Sequence, residues 1–187
     1  MNPKPSHLGL KYAEQFKDPS LVAVYHRRRP YPDEAISKLV ALVTGEPRTS
    51  LDVGCGTGDL ARRLVHHVER VDAVDFSFPM IDKGRTLPGG DHPRLNWIYG
   101  RVEEVALRPP YALITAGESL YWMKWEIVFP LFQCILTPGG ILPSWCQQVS
   151  KMVDHQDNSV LAARGQSGVL AFLPVSSTLF PQESRLR

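Results

Sequence analysis

Three glycines fall within five positions in LDVGCGTGDLARRL (51–64), between an apolar run and a basic segment with helical character. Gly54, Gly56 and Gly58 lack a Cβ, so the backbone there can take positive φ and approach another molecule closely. A strand that delivers its carboxyl end into such a loop, with a helix following, is suited to holding a polar cofactor. The spacing is G-x-G-x-G, whereas dinucleotide loops follow G-x-G-x-x-G and a P-loop requires G-K-[ST]. The plain alternative is a steric turn that needs glycine and binds nothing. Asp75 weighs against that alternative. It ends a second apolar run, VDAVD, and an acid in that place accepts two hydrogen bonds from a ribose diol.

Positioning these residues requires strands and helices in alternation. Residues 33–44, DEAISKLVALVT, put Ile36, Leu39, Val40 and Val43 on one helical face, with Pro32, Asp33 and Glu34 suiting its positive end. A strand is expected over 50–53, then a helix over 59–68 with Leu60, Leu64, Val65 and Val68 inward. RVDAVD (70–75) reads as a strand, 79–85 as a short helix, and 94–100 and 111–117 as further strands rich in strand formers. A helix over 125–136 presents Val128, Phe129, Phe132, Ile135 and Leu136. Pro130 would cost about 3 kcal/mol inside a helix, so the start is expected near Ile127, with Pro130 in the first turn. TPGG (137–140) then turns into a fifth strand, ILPSW. Five strands with intervening helices argue for an α/β fold, a mostly parallel sheet covered on both faces.

The whole chain fits this picture. Its 187 residues suit one domain, and 43% hydrophobic with 21% charged residues is an ordinary globular composition. The net charge of +2 is small, and the Arg27–Arg28–Arg29 cluster is not the basic face that nucleic-acid binding demands. The first eighteen residues have no apolar core of a secretory signal. The uncharged stretch 127–150 is interrupted by Pro130, Pro138, Gly139, Gly140 and Pro143, which disfavours a membrane span. Cys55, Cys134 and Cys146 are odd in number and lack metal-site spacing, so a cytoplasmic protein with reduced thiols and no metal is expected.

LDVGCGTG followed by VDAVDFSFPMI closely resembles the first two motifs of the class I S-adenosylmethionine-dependent methyltransferases. IYGRVEEV resembles the loop after their third strand, LITAGESLYWM the fourth-strand segment, and LTPGG the turn before strand five. VYHRRRPYP is similar to the entry of a small-molecule subgroup that includes trans-aconitate methyltransferase-like enzymes. Here the residue usual between Arg-Pro and Tyr-Pro is absent, and Tyr121-Trp122 stands where His-Trp is common. The resemblance runs over about residues 16–146.

It implies a Rossmann-like methyltransferase sheet and S-adenosyl-L-methionine as cofactor. Gly54, Gly56 and Gly58 would approach the methionine portion. Asp52 would orient the loop or bind the cofactor's ammonium group, or else only cap the following turn. Asp75 would hold the ribose, while Phe76 and Met80 would cover the adenine or simply pack in the core. Val102 and Glu103 would touch the adenine edge, with a solvated helix-start acid as the alternative for Glu103. Ala116 and Gly117 would lie nearest the sulfonium. Tyr25, Arg29, Glu118, Tyr121 and Trp122 are the expected substrate contacts; Trp125 is expected in the core, and no catalytic base is nominated.

One domain is expected over 1–187, with a cap segment (1–32), a cofactor-binding core (33–146) and an atypical or truncated C-terminal part (147–187). The family continues past strand five with a helix and an antiparallel strand pair, whereas here the pattern degrades after Cys146, leaving GVLAFLPV (168–175) as a candidate strand. The expected activity is methyl transfer to a small molecule, a carboxylic acid among the acceptors, since a carboxylate needs no general base. The alternative is a catalytically weak S-adenosylmethionine-binding or regulatory protein on the same fold. An NAD-dependent dehydrogenase is disfavoured by the glycine spacing.

Overall fold

The computed structural model describes residues 13–25, 27, 28, 30–145, 163–165 and 168–170. Four of the five expected strands form in place, β1 (Thr49–Val53), β2 (Arg70–Asp75), β3 (Leu95–Tyr99) and β4 (Tyr111–Gly117), whereas the fifth, expected over ILPSW, lies earlier as β5 (Leu136–Ile141). β1, β2, β3 and β4 are parallel in the order β3-β2-β1-β4, and β5 extends the sheet parallel to β4. β6 (Ser144–Trp145) pairs with the carboxyl end of β4. A short antiparallel hairpin, β7 (Ala163–Gly165) and β8 (Gly168–Leu170), joins at β5 through β8. GVLAFLPV is therefore a strand over its first three residues, and the rest lies outside the described residues, as does Cys146.

The helices are α1 (Pro19–Tyr25), α2 (Asp33–Leu42), α3 (Asp59–Leu64), α4 (Phe78–Arg85) and α5 (Trp125–Ile135), with a 3-10 turn at Glu14–Lys17 before α1. Alternating strand residues feed two cores. On one face Leu113, Val71 and Ala73 pack with Ile36 and Leu39 of α2 and Leu60 and Leu64 of α3. On the other, Ile114, Leu51 and Val53 pack with Val128, Phe132 and Ile135 of α5. A sheet buried on both faces needs such continuous apolar strands, and β1 and most of β2 are buried at every position.

Three boundaries differ from expectation. Helix α3 stops at Leu64; residues 65–67 continue as turns, yet Val65 and Val68 are buried as expected, because the turns fold back over the same core. Helix α5 starts at Trp125 and carries Pro130 inside it. Pro130 is exposed, so the carbonyl it leaves without a helical partner can meet water, and the Trp125 indole N–H pins the entry by donating to the Leu120 carbonyl at 2.8 Å. TPGG lies within β5: the register passes from Tyr111 opposite Leu136 to Leu113 opposite Ile141, so the expected turn survives as a bulge, with Gly139 at φ +80°.

Candidate functional site: a cofactor pocket at the carboxyl end of the sheet

From β1 the chain crosses to β2 and β3 on one side, while β4 lies on the other. The carboxyl ends of β1 and β4 thus flank a topological switch point, where open α/β sheets bind ligands. A pocket of about 670 Å³, counting its open mouth, occupies that crevice.

Its floor is the glycine loop. Gly54, Gly56 and Gly58 have φ of +63°, +55° and +75°, conformations that a side chain would strain, so all three are glycine by backbone necessity. Close packing reinforces this at Gly54, where an added Cβ would lie 2.4 Å from the Ser119 Cβ. Gly54 and Gly56 line the pocket. Gly58 does not: it opens α3 and lies against the Trp97 ring, 2.4 Å from where its Cβ would stand.

Asp75 ends β2 and lines the pocket while almost fully buried. Its Oδ2 accepts the Gly56 N–H and its Oδ1 the Ser77 N–H, both at 2.7 Å, so one carboxylate ties the end of β2 to the glycine loop. A carboxylate oxygen has more than one acceptor direction, leaving capacity on both for hydroxyls. Burial pushes its pKa up to about 6 against those two hydrogen bonds.

For Asp52, orienting the loop, binding the ammonium group and capping the following turn stand as alternatives. It is buried and absent from the pocket lining, because β1 turns it towards α3 and β4. There it accepts the Thr115 hydroxyl at 2.8 Å and the Ala61 backbone N–H, one of the orphan donors of the α3 first turn. Burial, opposed by these bonds, raises its pKa to about 7. Capping the following helix is the alternative that the geometry favours. Cys55 is half-buried between the glycines, and burial, with Asp75 and Asp52 adding, pushes its thiol well above the ordinary range, which argues against a nucleophilic thiolate.

Phe76, Met80, Val102 and Glu103 all line the pocket, on the β2 and β3 side. Ser77 caps α4, its hydroxyl accepting the Met80 N–H at 3.4 Å and donating to the Phe16 carbonyl at 2.6 Å. Glu103 also accepts the Lys124 N–H at 3.0 Å, so part of its carboxylate is used in holding the entry to α5. On the β4 side, Gly117, Glu118, Ser119, Trp122 and Met123 line the pocket, and Glu118 sits in the left-handed region at φ +56°. Ala116 is buried in β4 and does not line it, since successive strand residues face opposite sides and Gly117 takes the open position. Tyr121 lies outside the lining and packs its ring against Trp122 at 4.6 Å.

The N-terminal segment covers this arrangement. Ala13, Phe16 and Tyr25 line the outer wall, and Tyr25 Cε1 is 3.2 Å from where a Gly56 Cβ would be. Arg29 lies outside the described residues. Its neighbour Arg28 donates to the Tyr25 hydroxyl at 2.7 Å; burial opposes its charge, but Tyr25, Tyr31 and Glu118 hold its pKa above the ordinary value. Ala13, Phe16, Gly100, Arg101, Ser119 and Met123 were not anticipated as lining residues. Arg101, Ser119 and Met123 adjoin anticipated positions in the chain, whereas nothing in the spacing marks Phe16.

Residues 51–140 match the profile of a methyltransferase domain. The chain is 33% identical over 133 residues to a malonyl-[acyl-carrier protein] O-methyltransferase of Halalkalibacterium halodurans, covering 67% of this chain and 48% of that protein. It is 34% identical over 125 residues to an uncharacterized methyltransferase of Mycobacterium tuberculosis, covering 66% of this chain and 49% of that one. This chain carries a class I S-adenosylmethionine-dependent methyltransferase domain. S-adenosylmethionine is the cofactor of that family.

Solved structures agree on the fold. An S-adenosylmethionine-dependent methyltransferase from Clostridium acetobutylicum matches with TM-score 0.53 at 20% identity, covering 72% of this chain and 55% of that one. Another, from Thiobacillus denitrificans and in complex with S-adenosyl-L-homocysteine, matches with TM-score 0.52 at 17% identity, covering 73% and 61%. The methyltransferase domain spans about half the length of the curated relatives it matches.

Proposed function

We propose that this chain binds S-adenosylmethionine at the carboxyl end of its sheet and transfers the methyl group to a small-molecule acceptor. The observation that carries the proposal is Asp75, buried in the pocket wall and tied through Gly56 to a loop of left-handed glycines. In this reading the Asp75 carboxylate accepts the two ribose hydroxyls. Gly54 and Gly56 let the backbone meet the methionine portion, and Phe76, Met80 and Val102 cover the adenine. Asp52 acts from beneath, holding the loop against α3. Arg28, oriented by Tyr25, supplies the mouth with the cation expected at Arg29 and attracts a carboxylate there.

The bound cofactor supplies an electrophilic methyl on a sulfonium. The protein's part is to hold that methyl in line with the acceptor and to exclude water, which Ala13, Phe16 and Trp122 favour by walling the pocket. Residues 13–25 act as the cap of the cofactor-binding core, with Phe16 fastened to Ser77. A carboxylic acid is the acceptor class we favour; two relatives named as malonyl-[acyl-carrier protein] O-methyltransferases support it.

Equilibrium dialysis with S-adenosylmethionine, competed by NAD, tests the cofactor assignment: saturable binding that excess NAD leaves intact is expected. Equal displacement by NAD would return the glycine loop to dinucleotide chemistry. Transfer of labelled methyl to a panel of small acids then separates an enzyme from a protein that only binds the cofactor.

A further inference from the structure

Three pocket rings meet, two from the N-terminal segment and one from the distant turn after β4, and a fourth supports them. Phe16 comes from the 3-10 turn before α1, Tyr25 from the end of α1, and Trp122 from the turn after β4. The Phe16 ring stands edge-on to Tyr25 at 5.9 Å and 85°, and to Trp122 at 6.0 Å and 69°. Tyr121 backs Trp122 from outside the pocket at 4.6 Å. Both walls are anchored. The Phe16 carbonyl accepts the Ser77 hydroxyl at 2.6 Å, and the Leu120 carbonyl, at the start of the Trp122 turn, accepts the Trp125 indole at 2.8 Å. A ring has a negative face and a positive edge, so the part of such a cluster that lines the pocket can take a further flat ring edge-on or offset.

The polar groups beside these rings narrow the chemistry. No histidine, lysine or cysteine lines the pocket among the described residues. The Ser119 hydroxyl donates to the Val53 carbonyl at 2.5 Å, Asp75 and Glu103 each accept backbone N–H groups, and the third lining carboxylate, Glu118, is held on a left-handed backbone at φ +56°. A phenol or protonated amine requires deprotonation, whereas a carboxylate reacts as it stands.

We propose that the acceptor is a carboxylic acid carried on a flat aromatic body, its ring seated against the Phe16–Trp122 pair. This rests on the reading of the pocket as an S-adenosylmethionine site. A carboxylate oxygen lone pair forms the O–CH₃ bond as the S–CH₃ bond breaks, and the pair from that bond stays on sulfur. Sulfonium and carboxylate become thioether and methyl ester, and no proton has to be placed.

The test uses the full chain with methyl-labelled S-adenosylmethionine and four acceptors: benzoate and cinnamate, malonate, and phenol. Label should enter the aromatic esters at least tenfold faster than malonate, with phenol unlabelled. Trp122→Ala should lower kcat/KM for benzoate at least tenfold while the calorimetric Kd for S-adenosylmethionine stays within threefold, and Trp122→Phe should restore most of the loss. Preference for malonate, equal labelling of phenol, or cofactor binding without methylation of either aromatic acid would overturn the acceptor proposal alone. So would Trp122→Ala weakening cofactor and acceptor alike. Failure of the wild-type chain to bind S-adenosylmethionine in the same calorimeter would overturn the pocket reading, and this proposal with it.

Discussion

Strand β2 buries two aspartates three residues apart, and the two ends of the sheet treat them in opposite ways. Asp72, towards the amino end, has no exposed surface and meets Arg108 at 2.8 Å, the Tyr111 hydroxyl at 2.7 Å, the Asn96 amide at 3.0 Å and Arg70 at 3.4 Å. Asp75, at the carboxyl end, faces an open pocket with two backbone N–H groups on it among the described residues. At one end the charge is neutralised by side chains and closed off. At the other, burial lifts the carboxyl to about 6 and acceptor capacity is left over. A satisfied acid holds a fold together; an under-satisfied one beside a cavity is built for a ligand.

The largest effect on stability is expected at the closed end. Asp72→Ala leaves the buried Tyr111 hydroxyl and the Asn96 amide without their acceptor and should cost about 3 kcal/mol, read as a lower urea midpoint at unchanged slope. Cofactor affinity should stay within about threefold. A larger loss of affinity would blur the division between the two ends.

Acid titration sharpens the contrast from the open end. Asp75 and Asp52 have folded pKa values raised to about 6 and about 7. Their contribution to stability is therefore complete below about pH 4, the unfolded carboxylate range, and is lost as pH rises through 6 and 7. Urea midpoints should fall between about pH 4 and 7 by an amount equivalent to about 1–3 kcal/mol. The double variant Asp52→Asn, Asp75→Asn should flatten that slope. S-adenosylmethionine affinity should run the other way, strengthening as Asp75 ionises through about pH 6. Calorimetry over the same range tests that sign, and a flat profile would contradict a ribose-binding carboxylate.

A smaller change is expected at the loop that follows β1 and is tied to the end of β2 through Asp75. Gly56→Ala places a methyl at positive φ and 3.2 Å from Tyr25 Cε1, so the loop and cap must both yield. Cofactor affinity should fall about tenfold, roughly 1.4 kcal/mol, within the cost of strain at such a position. Least of all, Lys17→Ala removes an ammonium 5.2 Å from the Phe76 ring centroid on an exposed face. It should change affinity by less than about 1 kcal/mol in the same assay.

The same contrast explains what was legible in the sequence. A loop made of backbone advertises itself locally, because only glycine takes φ of +55° to +75° without strain, and Asp75 must follow at the next strand end. Strands β1, β2 and β4 were readable for a related reason: a parallel sheet buried on both faces requires apolar runs, and β5, LTPGGI, lacks one and reads as a turn. Side-chain assemblies leave no such trace. Asp72 finds Arg108 and Tyr111 only after β4 has crossed back beside β1, and Phe16 meets Trp122 only once the N-terminal turn has folded over the pocket. Ala116 and Gly117 show the limit of spacing: both end β4, and only the alternation of the pleat decides which faces the cavity. At Pro130, an intrinsic helix penalty gave way to the tertiary anchor at Trp125 and to an exposed position where the freed carbonyl is solvated.

The claim that the carboxyl end of the sheet is an S-adenosylmethionine site is tested most directly by titrating the cofactor calorimetrically into the wild-type chain, Asp75→Ala and Asp72→Ala at pH 7.5. Saturable wild-type binding is expected, with a loss of about 100-fold in Asp75→Ala and less than about threefold in Asp72→Ala. Equal affinity in wild type and Asp75→Ala would contradict it.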